Sequence, residues 1–216
     1  MGKHKTCPYN LMAHFPEKFD GYVLAGGKSS RMKMDKAFLE VGGETFLTRA
    51  VKTLSTVCEN RVKIVFNKAQ TNFIEKLLAD VPHIFDVYEN RGALGGIHAA
   101  LDNCKSEWAI VLAVDLPLVT SEAIEYLAQV TLESRDFAAI VPIQTDGRPQ
   151  PLCAVYRVED CLTKIEELLM KEFSSPVKDF LKVVPIRFIG QKDLSNNKNL
   201  FLNVNNPNDF QKLVSR

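Results

Sequence analysis

The run Leu24-Ala25-Gly26-Gly27-Lys28-Ser29-Ser30-Arg31-Met32 concentrates groups suited to holding an anion. Adjacent glycines carry no Cβ, so backbone N–H groups there can close on phosphate oxygens. Ser29 and Ser30 add hydroxyl donors, Arg31 a planar guanidinium fork, and Lys36 a mobile point charge. Two better-known phosphate loops do not fit. The Walker pattern needs a glycine five places before Gly27, where Tyr22 stands, and the Gly-x-Gly-x-x-Gly spacing of dinucleotide loops is absent. The bland alternative is a plain β-to-α turn with solvated basic side chains. Ser, Arg and Lys clustered directly after a first strand favour the phosphate-binding reading.

A second chemical group lies far along the chain. Asp115 follows the apolar run Trp108-Ala-Ile-Val-Leu-Ala-Val114, the clearest buried strand in the sequence. In an open parallel sheet, ligands bind beyond the carboxyl ends of strands. A carboxylate there suits Mg²⁺, which takes one or two protein carboxylates plus phosphate oxygens. Its alternative role is as a turn or helix-capping residue ahead of Pro117. His98 falls within a helical pattern and is expected at a helix surface or in the core. Cys153 and Cys161 are expected to be ordinary semi-buried thiols.

The elements needed to position these groups alternate. Strands are expected over Gly21–Leu24, Arg61–Phe66, His83–Val87, Trp108–Val114, Phe137–Pro142, Leu152–Tyr156 and Val183–Ile189. Helices are expected over Phe46–Val57, Phe73–Ala79, Gly95–Asn103, Glu122–Leu132 with Ser121 as N-cap, Val158–Met170, and Pro207–Val214. Strands alternating with helices imply right-handed crossovers and a mostly parallel sheet covered on both faces. The fold class is therefore α/β, a single-domain, Rossmann-like three-layer fold. Residues 1–19 are expected to be a polar lead-in and 20–216 the domain.

Composition narrows the function. The 216 residues carry a net charge of +1, which argues against a surface that coats nucleic acid. No apolar stretch approaches the roughly 20 residues needed to span a bilayer. The five cysteines form no CxxC pair and are odd in number, so neither a zinc site nor a disulfide framework is expected. A reducing, cytoplasmic compartment is the expectation.

The loop together with Asp35-Lys36-Ala37 closely resembles the signature of the molybdenum cofactor guanylyltransferases, of the nucleotide-diphospho-sugar transferase fold type. Val65-Phe66-Asn67 resembles that family's second strand with its nucleotide-contacting Asn. Gly92-Ala93-Leu94-Gly95-Gly96-Ile97 is similar to its Gly-Pro-Leu-Gly-Gly loop, and Val114-Asp115-Leu116-Pro117 to its Asp-x-Pro. Asn203-Val204-Asn205-Asn206-Pro207 is similar to its Asn-x-Asn-Thr-Pro, and Gln150–Tyr156 to its segment on the second-substrate side. Lys33 stands where the family usually has Gly, and Ala93 where it has Pro.

The resemblance implies transfer of GMP from GTP to the terminal phosphate of molybdopterin, with Mg²⁺ as cofactor. It implies Arg31, Lys36 and Asp115 as catalytic groups, with Asp115 and Asn205 on the metal. Leu24, Ala25, Gly26, Gly27, Ser29, Lys36, Asn67, Asp86, Gly95 and Asp115 would contact the nucleotide, with Asp86 either accepting from the guanine N–H edge or helping to define the pocket wall. Arg148, ahead of the segment Gln150–Tyr156, could reach the pterin phosphate or be a solvated loop residue. Transient contact with molybdenum enzymes or their chaperones would follow. The nearest alternative is a cytidylyltransferase acting on molybdopterin or another phosphorylated small molecule.

Overall fold

The computed structural model describes residues 18–26, 36–67, 80–88, 91–171 and 177–215. The expected helix over Phe73–Ala79 and nearly all of the lead-in lie outside them, as does most of the glycine-rich loop.

The central strands of the sheet are buried on both faces. β1 (Phe19–Leu24) and β6 (Trp108–Ala113) are buried at every position. That is the pattern of a parallel sheet covered by helices on either side. Side chains alternate between two cores, as the two-residue period of a strand requires. Phe19, Val23, Ile110 and Leu112 face one layer, and Tyr22, Leu24, Ala109 and Val111 the other.

Seven strands make up this sheet, in the order β5-β4-β1-β6-β8-β7-β9. β4 is Val62–Phe66, β5 His83–Phe85, β7 Ala139–Ile143, β8 Cys153–Arg157 and β9 Ile186–Gly190. β8 is antiparallel to both its neighbours, while the other pairings are parallel. A separate antiparallel pair, β2 (Glu40–Val41) and β3 (Glu44–Thr45), turns through Gly42 and Gly43 at φ +63° and +77°. Two successive positive φ angles are what a tight two-residue hairpin turn needs.

α1 (Phe46–Cys58) buries Ala50, Leu54 and Val57 against the first core and is capped by Thr45, whose hydroxyl accepts from Thr48 N at 3.1 Å. α3 (Ser121–Leu132) covers the same face through Ile124, Leu127 and Ala128. The opposite face is covered by α2 (Ala93–Asp102), through Leu94, Ile97 and Leu101, and by α4 (Val158–Leu169), through Cys161, Ile165 and Leu168. Each such aliphatic side chain contributes about 1.5–3 kcal/mol when fully buried. Short helices α5 (Val177–Phe180) and α6 (Gln191–Leu194) flank β9, and α7 (Pro207–Val214) closes the chain.

The fold class matches the expectation, with several boundary shifts. The cap of α3 is Thr120, not Ser121: Thr120 is the extended residue, and its side chain accepts from Ala123 N. α2 begins at Ala93, two residues before the expected start, because Gly92 adopts φ +61° and lets the helix open there. β9 starts at Ile186, after Pro185, rather than at Val183. Proline lacks the N–H that a paired strand residue would donate.

Candidate functional site

From β1 the chain goes to β4 on one side, then to β5, and only then crosses to β6 on the other side of β1. The carboxyl ends of β1 and β6 therefore flank a topological switch point, where open α/β sheets leave a crevice. Leu24, Ala25 and Gly26 leave β1 there, and Val114 and Asp115 leave β6. The two exits are tied together, since Val114 N donates to Leu24 O at 3.1 Å, and the β1 exit is tied to β4 by Ala25 N, which donates to Val65 O at 3.0 Å. Gly26 lies hard against the end of β4: an added Cβ would sit 3.3 Å from Asn67 N. Asn67 thus stands beside the start of the glycine-rich loop. Gly27, Ser29 and Arg31 lie outside the described residues.

Asp115, Lys36 and Asn205 converge although 79 and 169 residues separate Lys36 from the other two. Lys36 Nζ is 3.2 Å from Asp115 Oδ2 and 2.5 Å from Asn205 Oδ1. Both the lysine and the aspartate side chains are mostly shielded, at 17% and 18% exposure. Their gross Coulomb attraction is about 5 kcal/mol at an effective dielectric near 20, before desolvation is charged against it. The C-terminal segment is pinned to this corner by Val204 N, which donates to Asp115 O at 3.0 Å. Asn205 N donates to Asp209 Oδ2, and the side chain of Asn206 caps α7 through Asp209 N.

One feature of this corner bears on a metal ion. Asp115 Oδ1 is buried and accepts no hydrogen bond. A buried carboxylate oxygen without a donor is costly, and a cation would satisfy it. The oxygens at hand, one carboxylate and the Asn205 amide, are hard donors of the kind Mg²⁺ takes together with phosphate oxygens and water. Among the described residues no group of three or more His, Cys, Asp or Glu could form an all-protein cage. The donor set therefore fits an ion that shares its coordination with a bound phosphate.

Asp86 and Gly95 meet on the other side of β4. Asp86 follows β5, and its carboxylate accepts from Tyr88 N at 2.9 Å. A Cβ on Gly95 would lie 2.7 Å from Asp86 Oδ2 and 2.8 Å from Oδ1, so the first turn of α2 approaches the carboxylate only because residue 95 has no side chain. Gly96 instead faces Leu24, with a more comfortable 3.5 Å.

Next to Asn205 a polar cavity of about 600 Å³ opens, with Gln144, Arg148, Gln150, Lys198 and Asn203 on its wall. Asn203 Oδ1 is buried there without a hydrogen bond. Arg148 sits on the turn made possible by Gly147 at φ +84°, where it is largely exposed and paired with Asp146 at 2.6 Å. Sequence reasoning did not single out Lys198. It lies in the polar run Asn196-Asn197-Lys198-Asn199, and only the tertiary fold brings that run to the cavity.

The other candidates have structural settings. His98 is core rather than surface, with its ring edge-on to Tyr88 at 4.7 Å and its Nε2 3.7 Å from Glu166. Cys153 and Cys161 are fully buried instead of semi-buried, and burial pushes both thiols up to about 12.

The candidate site is thus framed by a mixed seven-stranded sheet with one reversed strand, with Lys36, Asp115 and Asn205 meeting at its switch point. The fold superposes on that of molybdopterin-guanine dinucleotide biosynthesis protein A from Archaeoglobus fulgidus with a TM-score of 0.75 at 23% identity, covering 91% of this chain and 97% of that one. It superposes on a 4-diphosphocytidyl-2C-methyl-D-erythritol synthase from Anaerococcus prevotii with a TM-score of 0.68 at 13% identity, covering 93% and 96%.

Residues 21–182 match the family model of the MobA-like NTP transferase domain, and the chain belongs to that family. A Geobacillus relative named "Probable molybdenum cofactor guanylyltransferase" is 33% identical over 198 residues, which is 92% of this chain and 99% of the relative. A Clostridium perfringens protein of the same name is 31% identical over 205 residues, 90% of this chain and 95% of its own. Among the described residues no helix is long and apolar enough to cross a membrane.

Proposed function

We propose that this protein transfers GMP from GTP to the terminal phosphate of molybdopterin, with Mg²⁺, releasing pyrophosphate and forming the guanine dinucleotide cofactor. The observation that carries the reading is the meeting of Lys36, Asp115 and Asn205 at the switch point, beside a polar cavity large enough for a second substrate. The names of the Geobacillus and Clostridium relatives supply the substrate pair.

In this reading GTP lies along the edge from β5 to β1. Leu24, Ala25 and Gly26, with Gly27, Ser29 and Arg31, line its phosphates, while Asn67, Asp86 and Gly95 line its nucleoside. Asp86 accepts from the guanine N–H edge. Asp115 and Asn205 would hold the metal ion, which when bound neutralises phosphate charge and aligns the oxygens. Molybdopterin occupies the cavity walled by Gln150, Lys198 and Asn203, where amide groups meet the hydrogen-bonding edge of its pterin. Arg148 and Lys198 offer charge to its phosphate.

An acceptor phosphate is already nucleophilic near neutral pH, so the site needs no strong base. An oxygen of that phosphate attacks the α-phosphorus in line. The new P–O bond forms as the bond from the α-phosphorus to the β-bridging oxygen breaks, and pyrophosphate leaves with that electron pair. Catalysis is positioning and charge stabilisation. Lys36 is placed to neutralise charge as it builds on the reacting phosphoryl oxygens. The buried free thiols suit a reducing cytoplasm, where transient contact with molybdenum enzymes or their chaperones would pass on the product.

The test is pyrophosphate release from GTP, CTP or ATP, each with Mg²⁺ and molybdopterin. Turnover with GTP, abolished in Asp115→Asn, is expected. Turnover with CTP alone would replace the guanylyl reading by the cytidylyl one, and nucleotide binding without pyrophosphate release would make the protein a carrier and not an enzyme.

A further inference from the structure

The Lys36 ammonium stands between the two oxygens that the proposed function gives to a metal ion, Asp115 Oδ2 at 3.2 Å and Asn205 Oδ1 at 2.5 Å. We propose that Lys36 is a charge placeholder. In the ligand-free protein it holds the Asp115–Asn205 corner for a divalent cation, and arrival of that cation frees Lys36 to reach the nucleotide phosphates. The inference rests on the metal role assigned to Asp115 and Asn205 above.

Three observations carry it, and a fourth point follows from the proposed nucleotide site. First, the corner supplies one carboxylate, one neutral amide and one ammonium. With the ammonium in place the charges already balance, and a divalent ion on the same oxygens would face a like charge within a few ångströms. Both charged side chains are more than four-fifths shielded, so solvent does little to screen that repulsion.

Second, the lysine does not saturate the carboxylate, because Asp115 Oδ1 is buried and accepts nothing. The ammonium is a partial occupant of a site with acceptor capacity to spare. Third, the two acceptors sit on short side chains and the ammonium on a long one. The backbones of Asp115 and Asn205 are held by the Val204 N–H to Asp115 O bond and by the Asn205 N–H to Asp209 Oδ2 bond. Lys36 opens the 3-10 turn Lys36–Phe38, and its ammonium reaches the corner on a rotatable four-carbon stem. If a cation enters, the lysine is the group that can leave.

Fourth, a nucleoside triphosphate offers the displaced ammonium new anionic partners within the same crevice. Metal and nucleotide then favour each other's binding through one side chain, and the protein takes them up as a pair. A metal ion alone meets competition from Lys36. This is a coupling between two ligands carried by a group that has two stations.

The placeholder makes an unusual demand, that removing a phosphate-binding lysine should tighten metal binding. Mn²⁺ alone, without nucleotide, is titrated into the full chain and its free fraction followed by electron paramagnetic resonance. Lys36→Met is expected to bind Mn²⁺ about tenfold more tightly than the parent, within the roughly 5–150-fold range usual for coupled sites. Equal or weaker binding by Lys36→Met would overturn the placeholder.

Adding Asp115→Asn to Lys36→Met is expected to abolish the gain. Mn²⁺ binding that ignores this second change would overturn the metal role of Asp115 itself, a failure distinguishable from the first. The unsubstituted chain provides a measurement free of folding concerns. Saturating Mn²⁺ should raise the rate at which acetic anhydride labels Lys36, read by peptide mass spectrometry. A labelling rate unchanged or lowered by Mn²⁺ would also refute the inference.

Discussion

Replacing Gly95 by Ala adds a single methyl group where the structure has no room for one. The new carbon would lie 2.7 and 2.8 Å from the two Asp86 carboxylate oxygens and 3.1 Å from Cγ, closer than real contacts allow. Either the carboxylate rotates or α2 backs away. Rotation surrenders the bond from Tyr88 N to the charged carboxylate, at 2.9 Å, worth about 1.5–3 kcal/mol, and costs about 0.5–1.5 kcal/mol of rotamer strain. Against this, alanine in place of glycine within a helix returns about 1 kcal/mol. The net effect is a destabilisation of about 1–3.5 kcal/mol, a fall of about 2–14 °C in Tm for a chain of this size.

Nucleotide binding should suffer as well. If Asp86 accepts from the guanine N–H edge, turning it away forfeits a hydrogen bond to a charged group, worth about 1.5–3 kcal/mol. GTP affinity should then fall about 10–100-fold, since each 1.4 kcal/mol is tenfold. Gly96→Ala is the control: its methyl would meet only Leu24, at 3.5 Å, an ordinary contact. Isothermal titration with GTP and Mg²⁺, alongside thermal melts, reads both quantities. GTP bound equally well by Gly95→Ala and Gly96→Ala, with both folded, would refute the placing of Asp86 beside the base.

At the opposite end of β1, Asp20 is 2% exposed and accepts from Lys105 N at 2.9 Å and the Ser106 hydroxyl at 2.8 Å, with Arg61 Nε at 3.6 Å. Asp20→Ala strands two donors and should cost about 2–4 kcal/mol, lowering Tm by about 4–15 °C. Turnover per folded molecule should be unchanged, and a stable but inactive variant would contradict the structural role. With the Cys153 and Cys161 thiols pushed up to about 12 by burial, only about one molecule in ten thousand carries the thiolate at pH 8. Iodoacetamide at pH 8 should leave both residues unmodified in the native protein and label them after denaturation, as peptide mass spectrometry would record.

The sequence made the centre of the sheet legible because β6 is a uniform apolar run and β1 ends in one, a pattern that burial on both faces explains. Asp115 was legible for the same reason, as the first charge after such a run. The reversal of β8 was not. Strand direction depends on how a connection turns, and the signal here is the Asp146-Gly147 pair, whose Gly147 at φ +84° lets the chain double back after β7. The cap of α3 was placed one residue late because Thr120 and Ser121 are both good caps, and only the extended backbone of Thr120 separates them. Lys198 carried no periodic or motif signal, since its place on the cavity wall is set by contacts between distant segments.

Two aspartates at opposite ends of neighbouring strands have contrasting settings in this sheet. Asp20, near the start of β1, offers each carboxylate oxygen a donor and binds the loop before β6 in place. Asp115, past the end of β6, is partly exposed, yet its Oδ1 is buried without a donor and its Oδ2 meets a lysine from another part of the chain. A protein selected for stability alone would satisfy the second aspartate as it does the first, because each unmet buried acceptor costs about 1–3 kcal/mol. In the proposed reading the deficit at Asp115 is kept because a saturated carboxylate could not take up a cation. The unsatisfied oxygen supports that reading on physical grounds, independently of any resemblance to other chains.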